Sequence, residues 1–187
     1  MDNLLDTRLD DTLNRLGRAT KDTKSAWRTP VLATSNPETG VSARTVVLRA
    51  WDRVPLSLDL FTDRRSRKAH DLTEQPVAEL VFWDARANIQ LRVKGPCTLH
   101  QADAAAERAM SRLTYRSRGD YARAQPPGAP ASGPEEAREL DGEIADNFLL
   151  IRLWPERMDR LDIKREGHER ALFRLEAGAW AGDWRVP

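Results

Sequence analysis

Two strand-like runs separated by a short turn, with a helix start directly after them, constrain the fold more than any other stretch of this sequence. The runs occupy residues 45–51 and 56–62, and a turn signal that includes Asp52 and Pro55 lies between them. β-Branched and aromatic side chains fit a pleated, half-buried surface, whereas aspartate and proline suit a turn. The stretch therefore predicts a β-hairpin that leads straight into a helix.

The predicted helix start carries Ser66 as a candidate N-cap and two cations, Arg67 and Lys68, in its first turn. The macrodipole makes a helix N-terminus positive, so cations there are unfavourable unless an anion lies against the free backbone N–H groups. A helix N-terminus with added cations is suited to binding a phosphate group. A solvated basic turn explains these three residues equally well, so the local pattern leaves both interpretations open.

Further strand-like runs lie on both sides of this stretch. A turn at residues 36–40 predicts a hairpin between the first two strands, and residues 88–94 alternate between polar and apolar side chains. The continuous apolar run at 77–83 is typical of a strand buried on both faces. Later runs at 148–153, 157–163, 171–175 and 179–186 look like closing strands. Many short strands with few helices predict a mainly β protein with flanking helices, an α+β fold built on a β-barrel.

The helical patterns are peripheral to these strands. An N-terminal helix is predicted within residues 1–24 from leucines spaced three or four apart, and further helices are predicted at 102–117 and about 135–145. Residues 124–136 are rich in proline and glycine, which predicts a flexible loop. The C-terminal strands at 147–187 are expected to complete the same sheet, so residues 1–187 are predicted to form a single domain.

Composition and charge exclude several classes of function. The chain has 30 Lys and Arg against 29 Asp and Glu, a net charge of +1, which favours neither nucleic acid nor an anionic membrane as a partner. Its apolar runs are shorter than the roughly 20 residues that a membrane span requires. The single cysteine, Cys97, fits a reducing compartment. We expect a cytoplasmic protein. The histidines and the cysteine show no metal-ligand spacing, so no metal site is predicted.

Four motifs, in order and in register, resemble the pyridoxamine 5′-phosphate oxidases and their FMN-binding split-barrel relatives. They are RTVVLR at 44–49, FT at 61–62, SRK at 66–68 and NIQLRVKG at 88–95. The resemblance implies an FMN-binding split β-barrel, a homodimer with FMN at the subunit interface, and an FMN-dependent oxidoreductase acting on a small-molecule substrate. Oxidation of pyridoxamine or pyridoxine 5′-phosphate is the leading reaction. Two alternatives stay open: a non-catalytic flavin-binding module for storage or sensing, and a split barrel that binds heme or a deazaflavin.

The resemblance also implies which residues hold the cofactor. Arg44 and Lys68 match phosphate-binding positions, and Gln90 matches a glutamine that hydrogen-bonds the flavin. An amide suits that role because it both donates and accepts hydrogen bonds. Strand alternation alone would place Gln90 on a solvent face. The full cofactor-binding set is Arg44, Thr45, Val46, Val47, Arg49, Phe61, Thr62, Ser66, Arg67, Lys68, Gln90 and Arg170.

Arg49 departs from the family pattern. The oxidases typically carry a lysine at this position, which touches both flavin and substrate, and a planar guanidinium is not equivalent to a compact ammonium. Arg44 and Arg49 are separated by an odd number of residues, so an ideal strand places them on opposite faces. Both therefore reach one ligand only if a bulge or bend lies between them.

The substrate-side residues match the family less well. The oxidases carry a segment resembling Arg-x-His-Asp-Arg near the C-terminus, and residues 166–170 keep His168 and Arg170 but replace the first arginine with Glu166. A glutamate facing a substrate phosphate would repel it. The remaining substrate-side candidates lie in the region after NIQLRVKG, at positions that the resemblance does not fix uniquely. The full set of candidates is His168, Arg170, Arg49, Tyr115, Arg116, Ser117 and Arg118.

Overall fold

The computed structural model describes residues 3–187, with five helices around an antiparallel β structure. The helices are α1 (Asn3–Lys21), α2 (Arg67–Glu74), α3 (Ala104–Met110), α4 (Tyr115–Arg118) and α5 (Ile144–Asn147). Within these residues, none of the helices has the length and hydropathy needed to cross a bilayer. The helices lie at the periphery, as the sequence predicts.

Ten strands form the body of the fold. They are β1 (Val31–Asn36), β2 (Gly40–Thr45), β3 (Leu48–Arg53), β4 (Leu56–Asp63), β5 (Val77–Asp84), β6 (Ile89–His100), β7 (Phe148–Leu153), β8 (Arg157–Asp162), β9 (Glu169–Glu176) and β10 (Ala179–Arg185). The main path runs β10-β9-β8-β6-β5-β1-β2, while β3 pairs with β4, and β7 pairs with both β4 and β6. Every pairing is antiparallel. The prediction of a mainly β fold with flanking helices is confirmed.

Strand β4 separates two hydrophobic cores because its side chains alternate between its two faces. Leu60 belongs to the larger core, which fills the barrel beneath α1 and α2. Phe61 packs with Phe148 and Tyr121 in a smaller core beside α3. The 12-residue strand β6 links the two regions, since it pairs with β5 and β8 near its start and with β7 near its end.

A buried arginine fixes α1 to the barrel. Arg160 of β8 is 1% exposed, and it donates to both carboxylate oxygens of Asp162 at 2.7 and 2.9 Å. It also donates to the backbone oxygen of Arg8 at 3.1 Å and to Thr12 Oγ1 at 3.1 Å, and it forms an ion pair with Asp11 at 2.7 Å. A buried charge requires this density of partners, so the position of α1 is tightly specified.

The strand predicted over residues 45–51 is two strands. β2 ends at Thr45 and β3 begins at Leu48, with Val46 and Val47 between them. Val46 is buried, and its N–H donates to the backbone oxygen of Pro30 at 2.9 Å. The chain crosses here from the β1 side of the barrel to β4, which a continuous strand would not allow.

Strand β5 is not buried on both faces, contrary to the prediction for residues 77–83. Leu80 and Phe82 are 0% exposed, whereas Val77 and Trp83 are each 44% exposed. The apolar run therefore covers the barrel with one face and leaves the other uncovered within a single chain. Apolar residues on an uncovered sheet face are typical of an interaction surface.

Both predicted helices after β6 are interrupted. The helix predicted at 102–117 ends at Met110 and restarts at Tyr115, because Thr114 caps a new start by accepting from Ser117 N. Asp103 caps α3 as predicted, accepting from two backbone N–H groups. The stretch at 135–145 contains one 3₁₀ turn and the start of α5. The Gly142 N–H donates to the backbone oxygen of Ala122, which ties this stretch to a neighbouring segment instead of a helix.

Candidate functional site

The first turn of α2 and the end of β4 bring three polar side chains into contact. Lys68 Nζ donates to Thr62 Oγ1 at 2.9 Å, and Thr62 Oγ1 lies 3.1 Å from Ser66 Oγ. Ser66 holds the N-cap position, yet its side chain makes no capping hydrogen bond. Its hydroxyl turns to Thr62, so the first-turn N–H groups of α2 have no side-chain cap. Uncapped N–H groups beside a lysine suit an anionic ligand.

Arg44 approaches the same place from β2. Its Nη1 donates to Thr34 Oγ1 at 2.7 Å, and Thr34 Oγ1 donates to Asp71 Oδ2 at 2.6 Å. Asp71 is 1% exposed and lies 3.7 Å from Arg44 and 3.9 Å from Arg67. One buried carboxylate therefore serves two guanidinium groups, and Lys68 adds a third cation. We call Arg44, Thr62, Ser66, Arg67 and Lys68 the cation cradle.

The cations of the cradle lower each other's pKa values. Burial lowers the pKa of Lys68, the charge of Arg44 lowers it further, and Asp63 partly opposes both effects. Asp63 itself forms an ion pair with Arg65 at 2.7 Å. Burial also lowers the pKa of Arg44, with Arg67 adding to the effect and Asp71 opposing it. A bound phosphate would offset this mutual repulsion, so the donor set fits the phosphate of FMN.

Arg49 lies at an irregularity in β3. The β3–β4 register shifts between Leu48 and Ala50, which makes Arg49 the extra residue of a β-bulge. The break at Val46 and Val47 precedes it, so the bend that Arg44 and Arg49 require is present. The guanidinium carbon of Arg49 lies 5.7 Å from the ring centroid of Phe61. Burial raises the pKa of the Tyr121 phenol, and the charge of Arg49 lowers it.

A second group of candidates lies on the uncovered face of the sheet. Gln90 is the register partner of Trp83 on one side and of Leu161 on the other, and Leu161 is in turn the partner of Arg170. Directly paired residues share a face of the sheet, so these four form one row across β5, β6, β8 and β9. We call this the outer row. The sheet thus brings Gln90 and Arg170 together on one surface.

Arg170 is held within its own chain by Asp159. Its Nε and Nη2 each donate to a different oxygen of Asp159, both at 2.9 Å, and Arg92 also pairs with this carboxylate. Burial raises the pKa of Asp159, but the hydrogen bonds from Arg170 and Arg92 outweigh it and bring the pKa to about 2. The carboxylate is therefore ionised at neutral pH and fixes the guanidinium plane of Arg170.

The cradle and the outer row lie on opposite faces of the sheet. Arg44 is the register partner of buried Leu32, which pairs with Leu80, which pairs with Val93. Val93 lies three residues after Gln90 on β6, so the two side chains point to opposite faces. A single chain therefore does not present Arg44 and Gln90 to the same small ligand.

A cleft beside the small core contains two arginines that the sequence analysis missed. It has a volume of about 220 Å³. Arg152 is neutralised there by Asp59 through two hydrogen bonds of 2.7 Å, whereas Arg108 and Arg112 have no carboxylate partner among the described residues. Arg108 lies on α3 and Arg112 lies in the turn just after it, and their spacing of four residues was the available signal. The lining residues are Ala50, Trp51, Asp52, Asp59, Phe61, Ala105, Arg108, Ala109, Arg112 and Arg152.

Several sequence candidates lie away from the cradle. Tyr115 is 96% exposed. Arg118 lines a separate cleft of about 330 Å³ with Glu107 and Glu143. His168 Nδ1 accepts from the Lys164 N–H at 3.2 Å, in the turn before β9. The side chain of Arg116 lies outside the described part of the structure.

Comparison with known proteins gives a consistent result. The sequence model of the family described as "Pyridoxamine 5′-phosphate oxidase, FMN-binding domain" matches residues 10–101. A pyridoxine/pyridoxamine 5′-phosphate oxidase from Zymomonas mobilis is 26% identical, with 95% of each chain covered. The corresponding protein from Cyanothece sp. is 31% identical over 80% of this chain and 74% of its own length.

The fold comparison agrees. A pyridoxamine 5′-phosphate oxidase-related, FMN-binding protein from Nostoc punctiforme superposes with a TM-score of 0.77 at 22% identity, covering 95% of this chain and 96% of the other. The architecture is therefore the split β-barrel predicted from the sequence.

Proposed function

Because this chain belongs to the pyridoxamine 5′-phosphate oxidase family of FMN-binding proteins, we propose that it is an FMN-dependent oxidoreductase with pyridoxamine or pyridoxine 5′-phosphate as its leading substrate. The domain that the family describes is FMN-binding, so FMN is the cofactor. When bound, FMN supplies the redox chemistry, while the protein contributes binding, orientation and electrostatic tuning.

The cation cradle is the observation that carries this proposal. Arg44 and Arg67 lie near a single buried carboxylate, Asp71, and among the described residues Lys68 Nζ hydrogen-bonds only the Thr62 hydroxyl. Three cations so poorly neutralised indicate an anionic ligand. We assign the FMN phosphate to this cradle, with Thr62, Ser66 and the first N–H groups of α2 as additional donors and Thr45–Val47 as adjoining backbone.

We further propose that the functional unit is a homodimer with FMN between the subunits. Gln90 and Arg170, which we assign to the flavin ring, lie on the face of the sheet opposite to Arg44. In a dimer, the outer row of one subunit can face the cradle of the other subunit, and the barrel need not be distorted. The exposed Val77 and Trp83 on that face give the dimer an apolar contact surface.

The cleft beside Phe61 is our candidate for the substrate anion. Arg108 and Arg112 offer guanidinium groups that have no carboxylate partner in the described part of the chain, and Phe61 joins their cleft to Arg49. This placement removes the difficulty raised by Glu166, because the phosphate of the substrate need not meet the C-terminal segment. His168 and Arg170 then remain candidates on the flavin side.

One observation favours a second candidate function, a non-catalytic flavin-binding module. Arg170 is held by Asp159, and Glu169 pairs with Arg8 at 2.7 Å and with Lys164 at 2.5 Å. The segment that supplies substrate contacts in the oxidases is thus occupied by ion pairs within its own chain. Turnover by FMN-loaded protein separates the two functions.

We also propose that residues 1–187 act as one domain and that the protein works in the cytoplasm. β1, β2 and the closing strands β8–β10 belong to one sheet path, which supports a single unit. The only cysteine, Cys97, is buried, which is compatible with a reducing compartment.

The visible spectrum of the purified protein tests the function. The protein is titrated with FMN and then mixed with pyridoxamine 5′-phosphate under air, while hydrogen peroxide release is followed. Flavin bands with peroxide release support the oxidase. Flavin bands without turnover favour the binding module, and failure to bind FMN contradicts the assignment of the cradle.

Mixed dimers test the shared site. One chain carries Arg67→Ala and Lys68→Ala, the other carries Gln90→Ala and Arg170→Ala, and the two are co-expressed with different affinity tags. If the site is shared, each mixed dimer contains one intact site and binds FMN tightly at half stoichiometry, although neither parent does. Weak binding by the mixed dimers would mean that one chain supplies all the ligands.

A further inference from the structure

Asp71 is an unfavourable residue for its position in α2. It lies in the C-terminal half of a helix that begins at Arg67, where the macrodipole disfavours a negative charge, and aspartate is a weak helix former. Its side chain is nevertheless 1% exposed. A carboxylate is buried in this way only where polar or charged partners compensate it. Two of these partners, Thr34 and Arg44, lie on β1 and β2.

Asp71 is connected to Arg44 through the hydroxyl of Thr34. Thr34 and Ser42 are register partners on β1 and β2, and Arg44 follows Ser42 by two residues, so all three side chains share one face of the sheet. Arg44 Nη1 donates to Thr34 Oγ1 at 2.7 Å, and Thr34 Oγ1 donates to Asp71 Oδ2 at 2.6 Å. Because an ionised carboxylate only accepts, the single hydroxyl proton is committed to Asp71, and the lone pairs are left to face Arg44. We call these two hydrogen bonds the relay.

The relay fixes the plane of the Arg44 guanidinium. Nη2 donates to Ser42 Oγ at 2.6 Å and lies 3.7 Å from Asp71 Oδ2, so both terminal nitrogens are held. Among the described residues, the hydrogen bonds of Arg44 involve Nη1 and Nη2 and leave Nε without one. The Nε–H is therefore the donor that remains for a phosphate oxygen.

Arg67 is held much less firmly by the same carboxylate. Asp71 Oδ1 is buried, has no hydrogen bond among the residues that the structure describes, and lies 3.9 Å from Arg67 Nε. Arg67 is half exposed and donates instead to the backbone oxygen of Thr39 at 2.9 Å. Asp71 thus acts mainly on Arg44, through Thr34.

We infer that Asp71 and Thr34 are positioning residues for Arg44, which fix its guanidinium in the cradle before the ligand binds. This inference rests on the proposed function, since it deepens the assignment of the FMN phosphate to the cradle. Ordering a long side chain on binding costs affinity, and preorganisation avoids that cost. The relay therefore favours a flavin with a terminal phosphate over a flavin without one.

FMN and riboflavin, which differ only in the phosphate, test the inference. Thr34→Val removes the hydroxyl but keeps the shape of the side chain, and Thr34→Ser restores the hydroxyl. Both flavin affinities are measured by fluorescence quenching. We expect Thr34→Val to weaken FMN binding about tenfold and to leave riboflavin binding unchanged, while Thr34→Ser recovers most of the FMN affinity.

A double-mutant cycle shows whether Thr34 acts through Arg44. In an Arg44→Ala background, Thr34→Val is expected to have no further effect on FMN affinity. Equal losses for FMN and riboflavin, or the same loss of FMN affinity without Arg44, would show that Thr34 acts only through packing. Either result would overturn the inference.

Ser35→Ala is the matched control for the docking of α2. Ser35 Oγ donates to Gln75 Oε1 at 2.7 Å and so also joins β1 to α2, away from Arg44. Ala69 and Leu72 are buried and keep α2 packed on the barrel in each variant. We expect an unchanged ratio of FMN to riboflavin affinity. A change as large as that of Thr34→Val would mean that the docking of α2, and not the relay, controls the cradle.

NMR of the Arg44 guanidinium without FMN keeps the inference separate from the proposed function. The protein carries isotope-labelled arginine, and Arg44→Lys assigns the signals. Restricted rotation about the Nε–Cζ bond gives separate Nη1 and Nη2 signals in the wild type, whereas faster rotation merges them in Thr34→Val and Asp71→Asn. Unchanged rotation in both variants would contradict the inference. If Arg44 is restrained as expected but the wild type does not bind FMN, the positioning of Arg44 is supported and the proposed function fails.

Discussion

The cation cradle and the outer row both rely on arginine, but their carboxylates differ. In the cradle, Arg44 and Arg67 share Asp71, and no carboxylate is paired with Lys68 among the described residues. On the outer face, Asp159 receives both donors of Arg170. Aspartate thus leaves positive charge uncompensated in the cradle, whereas on the outer face it holds an arginine side chain in one orientation.

The largest expected effect is in the cradle. Lys68→Ala combined with Arg67→Ala removes two charged donors, each worth about 1.5–3 kcal/mol, so FMN affinity is expected to fall by about 100-fold or more. Isothermal titration with FMN measures this. Arg64→Ala is the matched control, since Arg64 donates to the Asp146 carbonyl oxygen and not to the cradle. A similar loss in the control would mean that general charge, and not the cradle, binds FMN.

The next effect concerns the outer face. Asp159→Asn removes the shared carboxylate of Arg170 and Arg92. The folded-state pKa of about 2 lies below the ordinary 3.8, so the carboxylate is expected to contribute on the order of 2 kcal/mol to the free energy of unfolding. This contribution is fully present above pH about 4 and is lost as the pH falls through about 2.

Urea denaturation of both proteins between pH 2 and pH 7, at one protein concentration, measures this difference. The control is Asp183→Asn, which removes an exposed ion-pair partner from the adjacent edge of the sheet and is expected to change stability much less. A difference between wild type and Asp159→Asn that persists unchanged at pH 2 would contradict the assignment.

A smaller effect is expected in the cleft beside Phe61. Arg112→Ala removes a guanidinium that has no carboxylate partner among the residues the structure describes. It is expected to raise KM for pyridoxamine 5′-phosphate by about tenfold, with FMN affinity unchanged because the cradle is untouched. Steady-state peroxide assays and FMN titration separate the two quantities. Arg86→Ala, an exposed arginine in the β5–β6 turn, is the control. A parallel loss of FMN affinity would place the cofactor, and not the substrate, in this cleft.

The smallest effect is expected for Gln90. Gln90→Ala removes neutral hydrogen bonds worth about 0.5–1.5 kcal/mol each, so FMN affinity is expected to fall a few-fold. Gln101→Ala, at an exposed amide bonded to the Asp146 carbonyl oxygen, should leave it unchanged. Fluorescence titration resolves such differences. A loss as large as that of the Lys68 variant would mean that FMN binding depends on the outer row as strongly as on the cradle.

Local patterns predicted what depends on neighbours in the sequence. The strand β4, the start of α2 and the alternation around Gln90 follow from residue order, and so does the adjacency of Thr62, Ser66 and Lys68. The exposure of one face of β5 could not be predicted from the sequence, because an apolar run looks the same whether one or both of its faces are covered.

Contacts between residues far apart in the chain could not be predicted from the sequence. The bulge at Arg49 arises from pairing with β4, and the contact of its guanidinium with the Phe61 ring of that strand depends on the same pairing. The same holds for Arg65, whose carbonyl partners are 58 and 59 residues away. Such pairs are fixed by tertiary packing, for which local propensity carries no signal.

The buried Arg160 has a consequence for biosynthesis. Its contacts with α1 span 148 and 152 residues, so α1, which is synthesised before β8, acquires its anchor only when β8 has been made. Until then, α1 exposes an amphipathic surface with no barrel to cover, and non-local contacts of this kind form late. We therefore expect nascent chains that stop short of β8 to depend on chaperones, whereas chains that include β8, once Arg160 meets Asp11 and Thr12, do not.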